Sequence, residues 1–353
     1  MKIGIYTLKF HTNYGGILQA YALQCVLRKM GHDVFFLQKN RTKNFRILLM
    51  DACQPIFVQF GHLLPFLYEA KKAYSERAFL RFVKNNFRFI SIEDVRNGNI
   101  PDLDCIVVGS DQVWRPWSKS KETDFTFFLD FAKDLIGLKR VGYSISFGQD
   151  RWGYNLNDTD KIKLLVEKFD MLSVREEDGV RICKDYLGVN ALQLIDPTLL
   201  LKKEDYAALI KGFNIEKHAI VSYILDEDDE KTNLIISLEK IYGKVFKANA
   251  HTMPLPSIEK WISSFLGAER IITDSFHGTI FSINFNIPFV VLQNGKRGNS
   301  RLFSVLKKFN LLERLVETPE QAKEVFHKKI NWKYVNSILH KERTTALQFL
   351  NKI

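Results

Sequence analysis

Residues 2–37 read KIGIYTLKFHTNYGGILQAYALQCVLRKMGHDVFFL. The first five, KIGIY (2–6), form a short apolar run of strand length. A Gly-Gly turn follows at Gly15 and Gly16, after which Leu18, Ala22, Cys25, Val26 and Met30 recur at helical spacing. Gly31 stops that helix, and DVFFL (33–37) is the next strand. Strand, helix and strand in this rhythm make a βαβ unit. Strands that are apolar on both sides belong to a parallel sheet covered by helices on each face.

The rhythm continues outward from there. DCIVVG (104–109), RVGYSISFG (140–148) and MLSVR (171–175) are further strands, with helices predicted around 158–169 and 177–187. Near 200–216 the stretch LKKEDYAALIKGFNIEK breaks the pattern, and a second series begins. AIVSYIL (219–225) leads to a helix from about Glu230 to Tyr242, then KVFKA (244–248), a helix around 257–266, ERIIT (269–273), a helix after His277, and PFVVLQ (288–293). Helices at about 300–310, 319–328 and 332–350 close the chain. A length of 353 residues exceeds what one core usually serves. The expectation is two Rossmann-like doubly wound domains, 1–205 and 206–353, with a cleft between them. Ligands of such sheets bind beyond the carboxyl ends of the strands.

Composition narrows the class. The apolar share of 46% is enough to fill both cores, and no run of roughly 18 apolar residues predicts a membrane-spanning helix. MKIGIYTLKFHTNYGG lacks the long apolar stretch of a signal peptide, which predicts a cytoplasmic protein. Four cysteines stand far apart without a CxxC pair, so neither a zinc site nor a disulfide framework is expected. A net charge of +11 calls for an anionic partner: a phosphorylated substrate, a nucleic acid or an anionic membrane face. No finger, RNP or basic-helix motif accompanies it, which argues against nucleic acid. Residues 41–90 insert a basic, aromatic-rich segment. Its helical part, about 69–88, reads as a basic amphipathic helix suited to peripheral contact with the inner membrane face, or as an ordinary solvated insert.

Four turns carry the candidate chemistry. In TNYGG (12–16), Gly15 and Gly16 let the backbone approach a ligand at a helix N-terminus, although paired glycines occur in any tight turn. In GSDQVW (109–114), Asp111 beside Trp114 suits a sugar, the carboxylate accepting hydroxyl protons and the ring stacking on C–H faces. A lone aspartate there is equally a helix cap. In SVREED (173–178), Arg175 leaves a strand tip, where it can fork onto a carboxylate or phosphate or pair with its acidic neighbours. In ITDSFHG (272–278), His277 and Gly278 open a helix, with Ser275 and Thr279 completing an anion pocket. A histidine so placed is packing or chemistry, and four turns facing one cleft favour chemistry.

Six stretches in this order, NYGGILQAYAL, VVGSDQVW, YSISFG, LSVREEDG, LIDPTLLL and ITDSFHGTIFSINFNIPFVV, resemble the polysaccharide pyruvyl transferase family over about residues 1–310. The resemblance implies a GT-B-like arrangement of the two domains. It also implies transfer of the pyruvyl group of phosphoenolpyruvate onto two hydroxyls of a saccharide acceptor, lipid-linked or not, as a ketal. Phosphoenolpyruvate is then a donor substrate, and neither cofactor nor metal is expected. Carried onto this chain, the catalytic residues are His277, Asp111 and Arg175. Substrate contacts are expected from Asn13, Gly15 and Gly16 on the first turn, Ser110 and Trp114 on the second, and Ser275, Gly278 and Thr279 on the fourth. Many family members carry arginine two places before the histidine, where this chain has Ser275. Arg301, Lys296 or Arg297 would have to supply that charge. The competing readings are a GT-B glycosyltransferase using a nucleotide sugar, with the acidic run DEDDE (226–230) as its ribose contact or as a helix N-terminal cluster, and a non-catalytic carbohydrate-binding relative.

Overall fold

The computed structural model describes residues 1–39, 64–99, 103–116, 123–248, 255–294 and 299–353. The first half runs β1 (Lys2–Tyr6), α1 (Tyr14–Lys29), β2 (Asp33–Gln38), α2 (Leu64–Asn86), β3 (Phe89–Ser91), α3 (Ile92–Arg96), β4 (Cys105–Val108), β5 (Lys139–Ile145), α4 (Leu156–Val166), β6 (Met171–Val174), α5 (Glu177–Ile182) and β7 (Leu192–Gln193). The second half runs α6 (Lys203–Leu209), β8 (Val221–Tyr223), α7 (Asp229–Tyr242), β9 (Phe246–Lys247), α8 (Ile258–Gly267), β10 (Ile271–Thr273), α9 (Phe276–Phe285), β11 (Phe289–Leu292), α10 (Ser300–Lys308), β12 (Leu315–Val316), α11 (Pro319–Phe326) and α12 (Trp332–Leu350).

These strands build two parallel sheets. The first has seven strands in the order β3-β2-β1-β4-β5-β6-β7, the second five in the order β12-β11-β10-β8-β9. In the first sheet the chain steps outward from β1 and returns beside it with β4, so that Ile3 pairs with Val34 on one side and Cys105 on the other. The second sheet reverses in the same way between β8 and β10. Each reversal opens a crevice at the carboxyl ends of the strands. Two Rossmann-like domains are therefore present.

Alternation along β1 divides the core. Ile3 and Ile5 face one layer of helices while Tyr6 belongs to the opposite one. The first of these layers continues into the second domain, where Tyr14 at the start of α1 stacks on Trp261 of α8 with centroids 5.2 Å apart. The Tyr14 hydroxyl donates to the Pro256 carbonyl at 2.6 Å. The start of α1 is thereby fixed at the domain junction.

The basic helix α2 packs as a globular helix does. Phe79 lies against Tyr14 and Phe82 against Tyr21, while Arg81 and Lys84 point outward. Phe79, Phe82 and Val83 are buried in the core, while Tyr74 and Leu80 stay exposed. Residues 41–63 of the insert lie outside the described residues. Among the described residues no helix is long and apolar enough to cross a membrane. The boundary expected at 205/206 falls inside α6, and α12, assigned from sequence to the second domain, packs on both: Glu342 pairs with Lys308 of α10 at 3.0 Å and Arg343 donates to Asn284 of α9 at 2.8 Å, while its other contacts reach the first domain. Phe349 meets Tyr143, and Arg343 donates to the carbonyls of Leu199 and Leu201 at 2.6 and 3.0 Å.

Candidate active site

The site lies where the carboxyl ends of the first sheet face the start of α9. From the first domain come the N-terminus of α1, the turn after β4, and the segments after β6 and β7. From the second come the first turn of α9 and the start of α10.

Asn13 caps α1, its side chain accepting the Gly16 N–H at 3.1 Å. A β carbon on Gly15 would stand 2.0 Å from Nδ1 of His277, so the histidine ring of one domain lies directly on the bare backbone of the other. Only glycine leaves that space. A β carbon on Gly16 would meet Oδ2 of Asp111 at 3.5 Å, which places this carboxylate over the first turn of α1. Asp111 itself holds φ at 83°, left-handed backbone in a residue other than glycine, and its Oδ1 accepts the Gln112 N–H at 2.9 Å. Such strain costs about 1–3 kcal/mol and concentrates where geometry serves a function.

Arg175 leaves β6 into a buried ionic cluster. Its Nε donates to Glu176 at 2.9 Å and its Nη1 to Asp196 at 2.8 Å. Burial works against its charge, but Glu176, Asp196 and Asp111 outweigh burial and raise the guanidinium pKa. Asp196, just after β7, is the hub of the cluster. Oδ2 takes Ser110 Oγ at 3.1 Å as well as Arg175, while Oδ1 takes the Thr198 N–H and hydroxyl at 2.9 and 2.7 Å. Burial opposes its ionisation, yet His277, Arg175 and Thr198 hold its carboxyl below the usual carboxylate range. His277 Nε2 stands 3.9 Å from the same Oδ2. Burial depresses the imidazole pKa, Asp196 and Asp111 counter it, and Arg175 and Arg301 add to the depression. Burial thus works against the imidazolium in the resting protein.

Arg301 supplies a second guanidinium. It sits 5.9 Å from the centroid of the Phe276 ring, which Arg175 also faces at 4.2 Å. Burial and the neighbouring Arg175 push the Arg301 guanidinium down to about 10. Lys296 and Arg297 lie outside the described residues. Four buried polar atoms here have no hydrogen-bond partner: Arg175 Nη2, Glu176 Oε2, His277 Nε2 and Arg301 Nε. Unpaired polar atoms are costly in a protein interior, and their concentration at one place marks a ligand position. Arg175, Asp196, Phe276 and Arg301 also line a cavity of about 20 Å³, room for about one water molecule. Among the described residues no group of three or more His, Cys, Asp or Glu side chains is arranged to hold a metal ion.

The structure thus gathers His277, Arg175, Asp111, Arg301, Gly15 and Gly16. It gives other work to several expected contacts. Trp114 is fully buried, stacked on Phe128 and donating its indole N–H to the Phe127 carbonyl at 3.0 Å, so it supports the turn and offers no face to a sugar. The Ser275 hydroxyl caps α9 by accepting the Gly278 N–H at 3.4 Å, and the Thr279 hydroxyl donates back to the Ser275 carbonyl at 2.9 Å. A β carbon on Gly278 would stand 2.2 Å from Thr273 Oγ1, so that glycine lets α9 pack on β10. These three aim His277. Ser110 serves Asp196. Asp196 and Glu176 were given no role from sequence: the first follows a strand of two residues, and the second reads as a mere partner of Arg175. In the second sheet the turn after β10 is tied down by Asp274. Asp274 accepts the N–H groups of Leu225 and Asp226 at 2.6 and 3.2 Å, Lys231 at 3.1 Å and Asn294 at 3.0 Å. Asp228 caps α7 by accepting the Lys231 N–H at 2.9 Å, which makes DEDDE a helix-terminal cluster.

The family model of polysaccharide pyruvyl transferases matches residues 13–296, a span that includes all of these turns except Arg301. The chain belongs to the polysaccharide pyruvyl transferase family. Among curated proteins no relative is matched. Two solved structures resemble this pyruvyl transferase family member in fold. A UDP-N-acetylglucosamine 2-epimerase from Rickettsia bellii has 11% identity and a TM-score of 0.51, with 100% of this chain and 98% of that one covered. A UDP-GlcNAc 2-epimerase from Methanocaldococcus jannaschii has 13% identity and a TM-score of 0.50, with 95% of each covered. At such identities the likeness is one of architecture, the GT-B arrangement of two Rossmann-like domains. Family membership makes the chain a transferase of the polysaccharide pyruvyl class.

Proposed function

We propose that the protein transfers the pyruvyl group of phosphoenolpyruvate to two hydroxyls of a saccharide, forming a ketal and releasing phosphate during assembly of a surface or extracellular polysaccharide. The observation that carries this reading is the convergence of Arg175, Arg301 and His277 on unpaired, buried polar atoms. Phosphoenolpyruvate bears about three negative charges near neutrality, and such a ligand needs several fixed cations.

The chemistry needs one acid and one base. Arg175 and Arg301 hold the carboxylate and phosphate of the donor. The arriving anion favours the imidazolium, so His277 gains its proton as the donor binds. It passes this proton to the methylene carbon, leaving an electron-poor carbon at the former enol position. Asp111 takes the proton of the first sugar hydroxyl, whose oxygen bonds to that carbon. The bond between this carbon and the phosphate oxygen then breaks, and phosphate leaves. The second hydroxyl closes the ketal, giving its proton to His277, while Asp111 returns its own to phosphate. Of the two hydroxyl protons, one is accounted for in the new methyl group and one on phosphate.

The test is incubation with phosphoenolpyruvate and a panel of aryl and lipid-linked glycosides, reading phosphate release and acceptor mass together. Equal amounts of phosphate and ketal are expected, with both lost in folded His277→Ala and Arg175→Ala proteins. Wild-type turnover in either variant would remove these residues from the site. Absence of phosphate release across the panel would overturn the donor.

A further inference from the structure

We propose that Asp196 is the positioning residue that orients His277 and holds the proton on it, acting from the first domain on a histidine of the second. Two independent observations carry this. The first is geometric: Oδ2 of Asp196 faces His277 Nε2 at 3.9 Å, and that nitrogen is buried without a partner. The gap is too long for a hydrogen bond as it stands, and on the proposed role a small movement of the protonated ring closes it. The second is the fixing of the ring on its other side, where Nδ1 lies against the bare backbone of Gly15. Held between Gly15 and Asp196, the imidazole turns Nε2 to the carboxylate, so that in the proposed reaction the proton passed to the donor is the one on Nδ1, at the N-terminus of α1.

Asp196 is unsuited to acting as a base itself. Its side chain is fully buried, and Ser110, Arg175 and Thr198 already donate to it. What it supplies is a fixed negative charge shared by Arg175 and His277. The charged groups that face His277 are Asp196 and Asp111, which favour the imidazolium, and Arg175 and Arg301, which oppose it. Removing Asp196 leaves Asp111 alone against two guanidinium groups.

The inference deepens the proposed reaction, in which His277 is the acid, but its test does not depend on that reaction. The His277 ring proton is followed by NMR over pH in the full chain without substrate, and assigned by its loss in His277→Ala. In Asp196→Asn the His277 titration is expected to move down by about 1–3 pH units, the effect of losing a charge at this range. In Ser110→Ala, which removes a competing donor from the same oxygen but keeps the charge, it is expected to move up. An unchanged titration in a folded Asp196→Asn protein would overturn the proposal. If that variant does not fold, Ser110→Ala decides it, and a downward or absent shift there would count against it. In the phosphate-release assay the basic limb of the pH profile is expected to shift downward in Asp196→Asn along with the titration. NMR shifts as expected without turnover of phosphoenolpyruvate would leave the Asp196 role standing and sink the donor assignment alone.

Discussion

At Gly15 the backbone of one domain touches the histidine of the other, and this contact is the most exacting in the site. A methyl group there would stand 2.0 Å from Nδ1 of His277, so Gly15→Ala must displace the ring or part the domains. A displacement on the order of 1 Å at a reacting group costs roughly 100-fold in rate. Gly15→Ala is expected to lose kcat on that scale while keeping its circular dichroism spectrum. The buried charges also set how stability responds to acid. His277 has its pKa lowered below 6.5, so in the range below that value the unfolded chain binds the proton more readily and folding loses stability as pH falls. Asp196, held low by its donors, contributes stability that is present above the ordinary carboxylate range and lost as pH falls through its folded value. Melting temperature is therefore expected to fall on acidification in two stages, and His277→Ala should flatten the first. At this scale the sequence was legible where a charged residue ended a recognisable strand, as Arg175 and Asp111 do. It was not legible for Trp114, because an aromatic beside an aspartate looks the same whether its ring faces a cleft or the Phe128 layer beneath.

At the scale of the element, α9 is the carrier of the histidine, and its first turn is built to hold one direction. Ser275, Thr279 and Gly278 each satisfy or relieve a group of that turn. Arg301, arriving on α10 over the Phe276 ring, brings a guanidinium from elsewhere in the chain. Ser275→Ala is expected to cost about 0.5–1 kcal/mol as a lost cap, measured by chemical denaturation. A larger fall in activity than in stability would indicate that the cap aims the catalytic ring. The alternation of strand and helix that reveals the parallel sheets was plain in the sequence, because strands buried on both faces are apolar throughout. Three edge strands escaped it: β3, β7 and β12 are two or three residues long, too brief for any period to register, whereas the equally short β9 lies within the expected KVFKA. β5 ends earlier than its apolar run because the register with β6 shifts between Gly142 and Ile145, where Ser144 turns to φ 51°.

Over the whole molecule the two domains meet face to face, with Asp111, Arg175, Asp196, His277 and Arg301 each no more than 8% exposed. The proposed donor would have to enter between the two domains, where α5 and α10 face each other across an opening. Lys307 of α10 and Glu177 at the start of α5 form a 2.7 Å ion pair across this opening, both largely exposed. Lys307→Glu sets two like charges against each other there, with little effect on stability expected for exposed groups. The expected result is a raised KM for the donor that recovers at high salt, and restoration by the charge-swapped pair Lys307→Glu with Glu177→Lys. The two-domain plan followed from length and rhythm, but the path of the last helix did not, since α12 is helical in either position and only tertiary packing decides where it lies. That position has a consequence for synthesis. Phe349 and Leu350 of α12 are part of the same core layer as Ile3, Ile5 and Tyr143. A chain emerging from the ribosome exposes β1 to β7 long before residues 332–350 are made. The first domain is then expected to carry an unfilled seam beside Tyr143 until α12 has been translated, an exposed apolar surface of the kind that chaperones cover.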